Sequence, residues 1–189
     1  RLESGDVGIC RFGREMNMLD VFGSTTFTDR HGGQILSHLR FDQTRTDMYA
    51  LLEQSMRVLR QARQQHTSAS AADLWQLEII ISDGVGQDHE RLKALLRRAT
   101  EERIMLVFVV VDAAGDVASA SANEGQRSSI LSMNQVSYHT AAAGRLQLNM
   151  KHYMDTFPFD YYVIVRDVQS LPQVLATTLC QWAERIRDA

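Results

Sequence analysis

The segment "IMLVFVVV", Ile104–Val111, is apolar at all eight positions and constrains the fold more than any other stretch of the chain. A strand with one wet face alternates apolar and polar residues. A strand without that alternation is buried on both faces, which happens in parallel sheets covered by helices. The run is also far short of the roughly 20 apolar residues that a membrane-spanning helix needs.

Around this strand the chain alternates strand-like and helix-like patterns. Residues 6–12, "DVGICRF", read as a short strand. In "TDMYALLEQSMRVLRQARQQ", Met48, Leu51, Leu52, Met56 and Leu59 recur at helical spacing and form one apolar stripe. Residues 66–73 are small and polar and read as a loop. "LEIII", residues 77–81, is a strand, and "HERLKALLRRATEE" is a helix that turns Leu92, Leu95 and Leu96 inward. Residues 113–129, rich in Ala, Gly and Ser, predict a mobile loop. A short helix near Ile130 and two short strands, at 136–138 and 146–148, follow, the strands being joined at Gly144. "YYVIV", residues 161–165, reads as another buried strand. Ser170 is placed to cap a closing helix that aligns Leu171, Leu175, Leu179, Trp182 and Ile186. The alternation predicts one α/β domain over residues 1–189 with a mostly parallel sheet. Residues 132–159 are longer than the connection of about 2–6 residues that an α/β unit needs, and predict a projection from it.

Composition narrows the function classes. Hydrophobic residues make up 44% and charged residues 23% of the 189 residues, as in ordinary globular domains. A net charge of -3 argues against a dedicated nucleic-acid surface. The two cysteines, Cys10 and Cys180, have no CxxC spacing, which excludes a disulfide scaffold or thiolate zinc site and suits a reducing compartment. With no signal-like leader, an intracellular protein is expected. The six histidines (31, 38, 66, 89, 139 and 152) show no metal-ligand spacing, and GxSxG, Walker A and GxGxxG motifs are absent.

In open α/β sheets ligands bind outside the carboxyl ends of the strands. "EIIISDGVGQDHERLKALL" ends a strand in Asp83-Gly84 at such a place and then enters a helix. Asp83 has two readings: a metal ligand or general base at the rim of the sheet, or a turn residue whose carboxylate caps the next helix. "QTRTDM" likewise has two. Thr46 caps the helix with Asp47 complementing its dipole, or the Thr46 hydroxyl faces the same rim as Asp83. Mg²⁺ takes about six oxygen ligands, several often water, so one hydroxyl and one carboxylate need further oxygens from elsewhere. Asp112 also follows a buried strand and reads as simply ending it. The scattered methionines read as packing residues rather than a cofactor box.

The pair "TRTD" opening a helix and "IIISDG" ending a strand resembles the von Willebrand factor A-type domain. In that family a metal-ion-dependent adhesion site is built from an Asp-x-Ser-x-Ser loop after the first strand, a Thr before a middle helix and an Asp ending the next strand. Thr46 matches the second loop and Asp83 the third. The stretches "RFDQTRTDMYALLEQS", "ISDGVGQDHERLKALLRRATEERIMLVFVVVD", "SILSMNQV" and "MDTFPFDYYVIVRDVQSLPQVLATTLCQW" resemble, more closely, the C-terminal domain of the giant nuclear AAA-type ATPases of large-ribosomal-subunit assembly. The likeness covers nearly the whole chain, and "TFPFDYY" makes it specific. No Asp-x-Ser-x-Ser occurs in these residues. The opening "RLESGDVGICRF" corresponds to the end of the family's first helix and its second strand. The first strand and first metal loop are therefore expected on a separate N-terminal segment or from another copy, and the chain is expected to be unstable alone.

The resemblance implies a von Willebrand factor A-like, Rossmann-type fold and a protein-docking module rather than an enzyme, in the nucleus (nucleolus and nucleoplasm). It implies Mg²⁺ or another divalent cation on Thr46 and Asp83, with Arg45, Asp47, Gly84, Val85 and Tyr138 around the partner. That partner is expected to be a ubiquitin-like domain of a WD-repeat assembly factor on the pre-60S particle, delivering an acidic side chain to the ion. The parent AAA ring would then remove the captured factor; neither a membrane nor direct nucleic-acid contact is expected. Two alternatives stand beside this reading. One is a metal-free structural docking domain. The other is a Mg²⁺-dependent phosphoryl-transfer or hydrolase domain, which needs a nucleophilic Asp or phosphate-cradling loop that the sequence does not display.

Overall fold

The computed structural model describes residues 6–20, 22, 29–38, 45–65, 74–84, 86, 89–112, 129–140 and 146–187. The chain divides into two compact units, one of residues 1–76, 86–105 and 183–189 and the other of residues 77–85 and 106–182. The loop expected over 66–73, most of that over 113–129, and Gly144 lie outside the described residues.

The first unit opens with a small antiparallel pair, β1 (Ile9–Phe12) and β2 (Met16–Asp20). Helix α1 (Asp29–His38) follows, then α2 (Met48–Gln65) and α3 (His89–Glu101). The stripe on α2 is realised in full: Met48, Leu51, Leu52, Met56 and Leu59 are all buried. On α3, Leu92 and Leu95 are buried and Leu96 is half-buried. Polar contacts fix α2 beside the end of α3. The Arg60 guanidinium donates to both carboxylate oxygens of Glu102, Nε to Oε2 at 2.6 Å and Nη2 to Oε1 at 2.7 Å. Arg63 Nη2 donates to the Glu102 carbonyl at 2.7 Å, and Arg91 stacks on the Tyr49 ring 3.8 Å from its centroid. The bond from Arg60 holds the Glu102 carboxyl below the usual carboxylate range, with neighbouring guanidinium charges adding to it and partial burial opposing it. Past α3 the chain reverses through Arg103, in the left-handed region at φ 57°, a conformation more often given to glycine at a helix C-terminus.

In the second unit β3 (Gln76–Ser82), β4 (Ile104–Val111) and β7 (Tyr162–Val165) form a sheet in the order β3–β4–β7; the first residue of β3 and the first two of β4 belong to the first unit. β4 and β7 are parallel, with Phe108 opposite Tyr162 and Val111 opposite Val165. The fold class is α/β with a parallel sheet, as the unbroken apolar strand requires. β4 is central, and Leu106 through Val110 are buried without interruption. β7 departs from the expectation of a buried strand: Tyr161 and Tyr162 are 37% and 43% exposed. Among the described strands it lies at the edge of its sheet, so the aromatic residues that open it have one neighbour rather than two.

The "TFPF" segment supplies the aromatic packing. Phe157 meets Phe108 edge-on at 5.3 Å and Tyr162 edge-on at 5.3 Å, while Phe159 lies 4.6 Å from Phe108. These separations suit the ring quadrupoles. β5 (Asn134–Thr140) and β6 (Leu146–His152) form a separate antiparallel hairpin whose backbone register pairs Val136 with Met150 and Tyr138 with Leu148.

The last helix, α4 (Leu171–Arg187), is entered through a capped 3-10 turn rather than directly from Ser170. Asp167 accepts from the Gln169 amide at 2.9 Å and starts a short 3-10 turn, Val168–Ser170, that leads into α4. The Ser170 hydroxyl instead donates back to the Asp167 carbonyl at 2.6 Å. The expected stripe is also looser than its spacing implies: Leu179 is 39% exposed.

Candidate functional site

Thr46 and Asp83 sit on different units, each in a setting that its local sequence explains. The residue that caps α2 is Asp47, which immediately precedes the helix. Its carboxylate accepts from the Ala50 amide at 2.9 Å, its carbonyl accepts from Leu51, and its own amide donates to the Gly13 carbonyl at 2.8 Å. That is the N-cap geometry, and it corrects the expectation that Thr46 caps with Asp47 inside the first turn. Both residues are strong cap formers, so their order alone does not decide between them. Thr46 and Arg45 are exposed just ahead of the cap, and the Thr46 hydroxyl is not committed to capping α2.

Asp83 is exposed directly after β3, and the Ser82 hydroxyl donates to its Oδ1 at 3.2 Å. The glycine after it is far more constrained than an ordinary turn residue. Gly84 is buried and has φ 81°. A Cβ placed there would stand 2.7 Å from Ile130 Cδ1 and 2.9 Å from Val110 Cγ1, closer than carbon atoms pack. Its carbonyl accepts a buried hydrogen bond of 2.9 Å from the Tyr153 hydroxyl. The Asp-Gly pair is therefore an exposed carboxylate on a backbone held from three directions. Val85 lies outside the described residues. Tyr138 is placed by its backbone in β5, and its side chain lies outside what is described.

Sequence reasoning missed the elements that hold this turn. Asp112 does more than end β4. It is buried, its amide donates to the Val165 carbonyl at 2.9 Å, and its Oδ2 accepts from the Ser129 hydroxyl at 2.5 Å. Ser129 caps the 3-10 turn Ile130–Ser132, and that turn delivers Ile130 to Gly84. The signal for this was "SSIL", a hydroxyl cap ahead of an apolar residue, but its partner lies 17 positions earlier in the chain.

The donors match Mg²⁺ in kind: a hydroxyl and a carboxylate, both exposed hard oxygens. Two such donors would supply two of about six ligands. Among the described residues no group of three or more His, Cys, Asp or Glu side chains is arranged to hold a metal ion. None of their helices is long and apolar enough to cross a membrane.

No family model matches the chain. Two proteins named midasin are similar to it almost throughout. That of Dictyostelium discoideum is 34% identical over 183 residues, covering 96% of this chain. That of Giardia intestinalis is 24% identical over 189 residues, covering 98%. The matches span 3% and 4% of the lengths of those proteins. Nearly end to end, the chain is thus similar to one short segment of midasin.

Proposed function

We propose that this chain is a metal-ion-dependent protein-docking module of a ribosome-assembly AAA ATPase, and that it carries no ATP chemistry of its own. The observation that carries the reading is the Asp83-Gly84 turn: an exposed carboxylate at the end of a sheet strand, on a backbone fixed at Gly84. Similarity to midasin supports the assignment to ribosome assembly. Thr46 and Asp83 would hold Mg²⁺ or a similar divalent cation together with further oxygen ligands. When bound, the ion supplies a positive charge with coordination positions open to an incoming carboxylate.

The partner is a ubiquitin-like domain of a WD-repeat assembly factor on the nuclear pre-60S particle, and the acidic side chain it brings is the bridging group. Asp83 sets the charge of the site. Thr46, a neutral hydroxyl, contributes less to holding the ion. Arg45, exposed beside Thr46, adds a positive charge that favours an acidic partner. The parent ring then pulls on the captured factor.

The test is affinity of the full-length protein for a ubiquitin-like partner, with Mg²⁺ and with a chelator. Asp83→Ala should reduce binding in Mg²⁺ to the level seen in chelator, and Thr46→Ala should fall between. Undiminished binding of folded Asp83→Ala in chelator would sink the metal bridge and favour metal-free docking.

A further inference from the structure

We infer that Tyr153 is a positioning residue for Asp83, acting through Gly84, so that the roots of the β5–β6 hairpin set what the carboxylate at the end of β3 presents to a ligand. This rests on the metal-dependent reading of Asp83 and extends it to side chains that touch no ligand.

The argument starts from the two ends of the hairpin. Tyr153 comes immediately after β6, and Ile130 lies in the turn just before β5. The Tyr153 amide donates to the Met133 carbonyl at 2.9 Å, and the Met133 amide to the Ile130 carbonyl at 3.3 Å, so the two roots are tied together. Both then reach Gly84. The Tyr153 hydroxyl holds its carbonyl oxygen, and the Ile130 side chain closes the space beside its α-carbon. A further tie runs from the Ile130 turn to the sheet, through the Ser129 hydroxyl and the buried Asp112 carboxylate at the end of β4.

The Gly84 carbonyl belongs to the peptide that follows it, so holding that carbonyl and closing the space beside the α-carbon anchors Gly84 itself, the far end of the peptide that starts at Asp83. The direction in which Asp83 leaves the strand is then set by the hairpin's footing as well as by β3. Phenylalanine at 153 would keep the ring, which lies 6.3 Å from Phe157, and would delete only the donor. The Gly84 carbonyl would be left buried and unpaired, a state that the backbone relieves by shifting Gly84. Asp83, bonded to the Gly84 nitrogen, would lose that anchor.

The experiment compares wild-type full-length protein with Tyr153→Phe, Asp83→Ala and Thr156→Val. The Thr156 hydroxyl bonds Gln135 Oε1 and the Tyr153 carbonyl, each at 2.9 Å; Thr156→Val therefore loosens the same root while leaving the Tyr153 hydroxyl on Gly84, and serves as the control. Two quantities are read in the absence of nucleotide. One is Mn²⁺ binding, counted as the part lost in Asp83→Ala. The other is amide hydrogen exchange over residues 77–86, with residues 106–111 as the internal reference. Tyr153→Phe should weaken the Asp83-dependent Mn²⁺ binding about fivefold, the worth of one net hydrogen bond. It should speed exchange over residues 83–86 by a similar factor and leave residues 106–111 unchanged; Thr156→Val should do neither.

Unchanged Mn²⁺ binding in Tyr153→Phe overturns the inference. So does exchange that rises equally over residues 106–111, because that is loss of stability rather than of position. If the wild type shows no Asp83-dependent Mn²⁺ binding, the metal reading fails on its own. The clamp is then judged by local exchange alone: faster exchange confined to residues 83–86 upholds it, and unchanged exchange refutes it.

Discussion

Gly84→Ala should be among the most damaging single-methyl additions in the second unit, because two independent costs meet at one atom. The first is conformational. At φ 81° an L-residue places Cβ against its own backbone, at a cost of about 1–2 kcal/mol. The second is steric. The new methyl would stand 2.7 Å from Ile130 Cδ1, 2.9 Å from Val110 Cγ1 and 3.2 Å from Val110 Cγ2. Ile130 can give a little by changing rotamer. Val110 has no such freedom, being fully buried in the central strand and paired through its backbone to Ile164. Overpacking of this kind costs about 1–3 kcal/mol. Together these make about 3 kcal/mol, on the order of a 150-fold change in the opening equilibrium at about 1.4 kcal/mol per decade.

Amide exchange over residues 106–111 in the full-length protein reads this directly, since the amides of a buried central strand exchange through the larger opening events. Ile130→Val removes the nearest carbon. In that background the cost of Gly84→Ala should fall by about 1 kcal/mol, with the Val110 overlap and the strained φ remaining. An acceleration below about tenfold in the single variant would refute the argument, as would an equal cost in both backgrounds for the steric half of it.

Two further outcomes follow from local geometry in the first unit. Gly33→Ala should stabilise α1 by about 0.5–1 kcal/mol, since a Cβ there meets nothing within 4 Å in a helix interior; slower exchange over residues 30–38 checks it, and no slowing refutes it. For Glu102, whose carboxyl is held below its ordinary value of 4.5 chiefly by the bond from Arg60, the ionised pair contributes its full stability above that value and loses it as pH falls through the lowered folded-state value. The stability gap between wild type and Glu102→Gln should therefore be constant from neutral pH down to about 5 and close below it, and a gap independent of pH across that range would exclude the ion pair as its source.

How much of this was legible in the sequence depended on whether a residue's neighbours were close in the chain. The stripe on α2 and the apolar run of β4 were legible because periodicity reports burial directly, and both are buried as read. β2 and α1 raised no expectation. The first is five half-buried residues, and the second carries Gly32-Gly33 in its middle, a composition that disfavours helix. The cap at Asp47 was missed by one position because adjacent hydroxyl and carboxylate residues offer equivalent capping chemistry, and the 3-10 turn capped by Asp167 ahead of α4 raised no expectation. The edge position of β7 and the exposure of Leu179 depend on which surfaces are left uncovered, a property of the assembled chain rather than of any window within it.

The same limit explains the two carboxylates that end neighbouring strands. Asp83 follows β3 and Asp112 follows β4, and from sequence alone each is an acid after an apolar run. Their environments separate them. Asp112 is buried, and one of its oxygens is engaged by Ser129 at 2.5 Å. A cation approaching that oxygen would have to break the bond and release the turn that brings Ile130 to Gly84. Asp83 is exposed and accepts from the neighbouring Ser82 hydroxyl at a longer 3.2 Å. One acid is thus suited to holding the framework and the other to meeting what lies outside it. Through Ser129 and Ile130 the first is linked to Gly84, the residue bonded to the second. Asp112→Asn retains an acceptor for Ser129 and should spare the Asp83 site, whereas Asp112→Ala removes the acceptor, frees the Ile130 turn and should weaken Asp83-dependent Mn²⁺ binding, by about the worth of a hydrogen bond to a charged group, roughly 10-fold or more. Equal binding by the Asn and Ala variants would disconnect the two carboxylates.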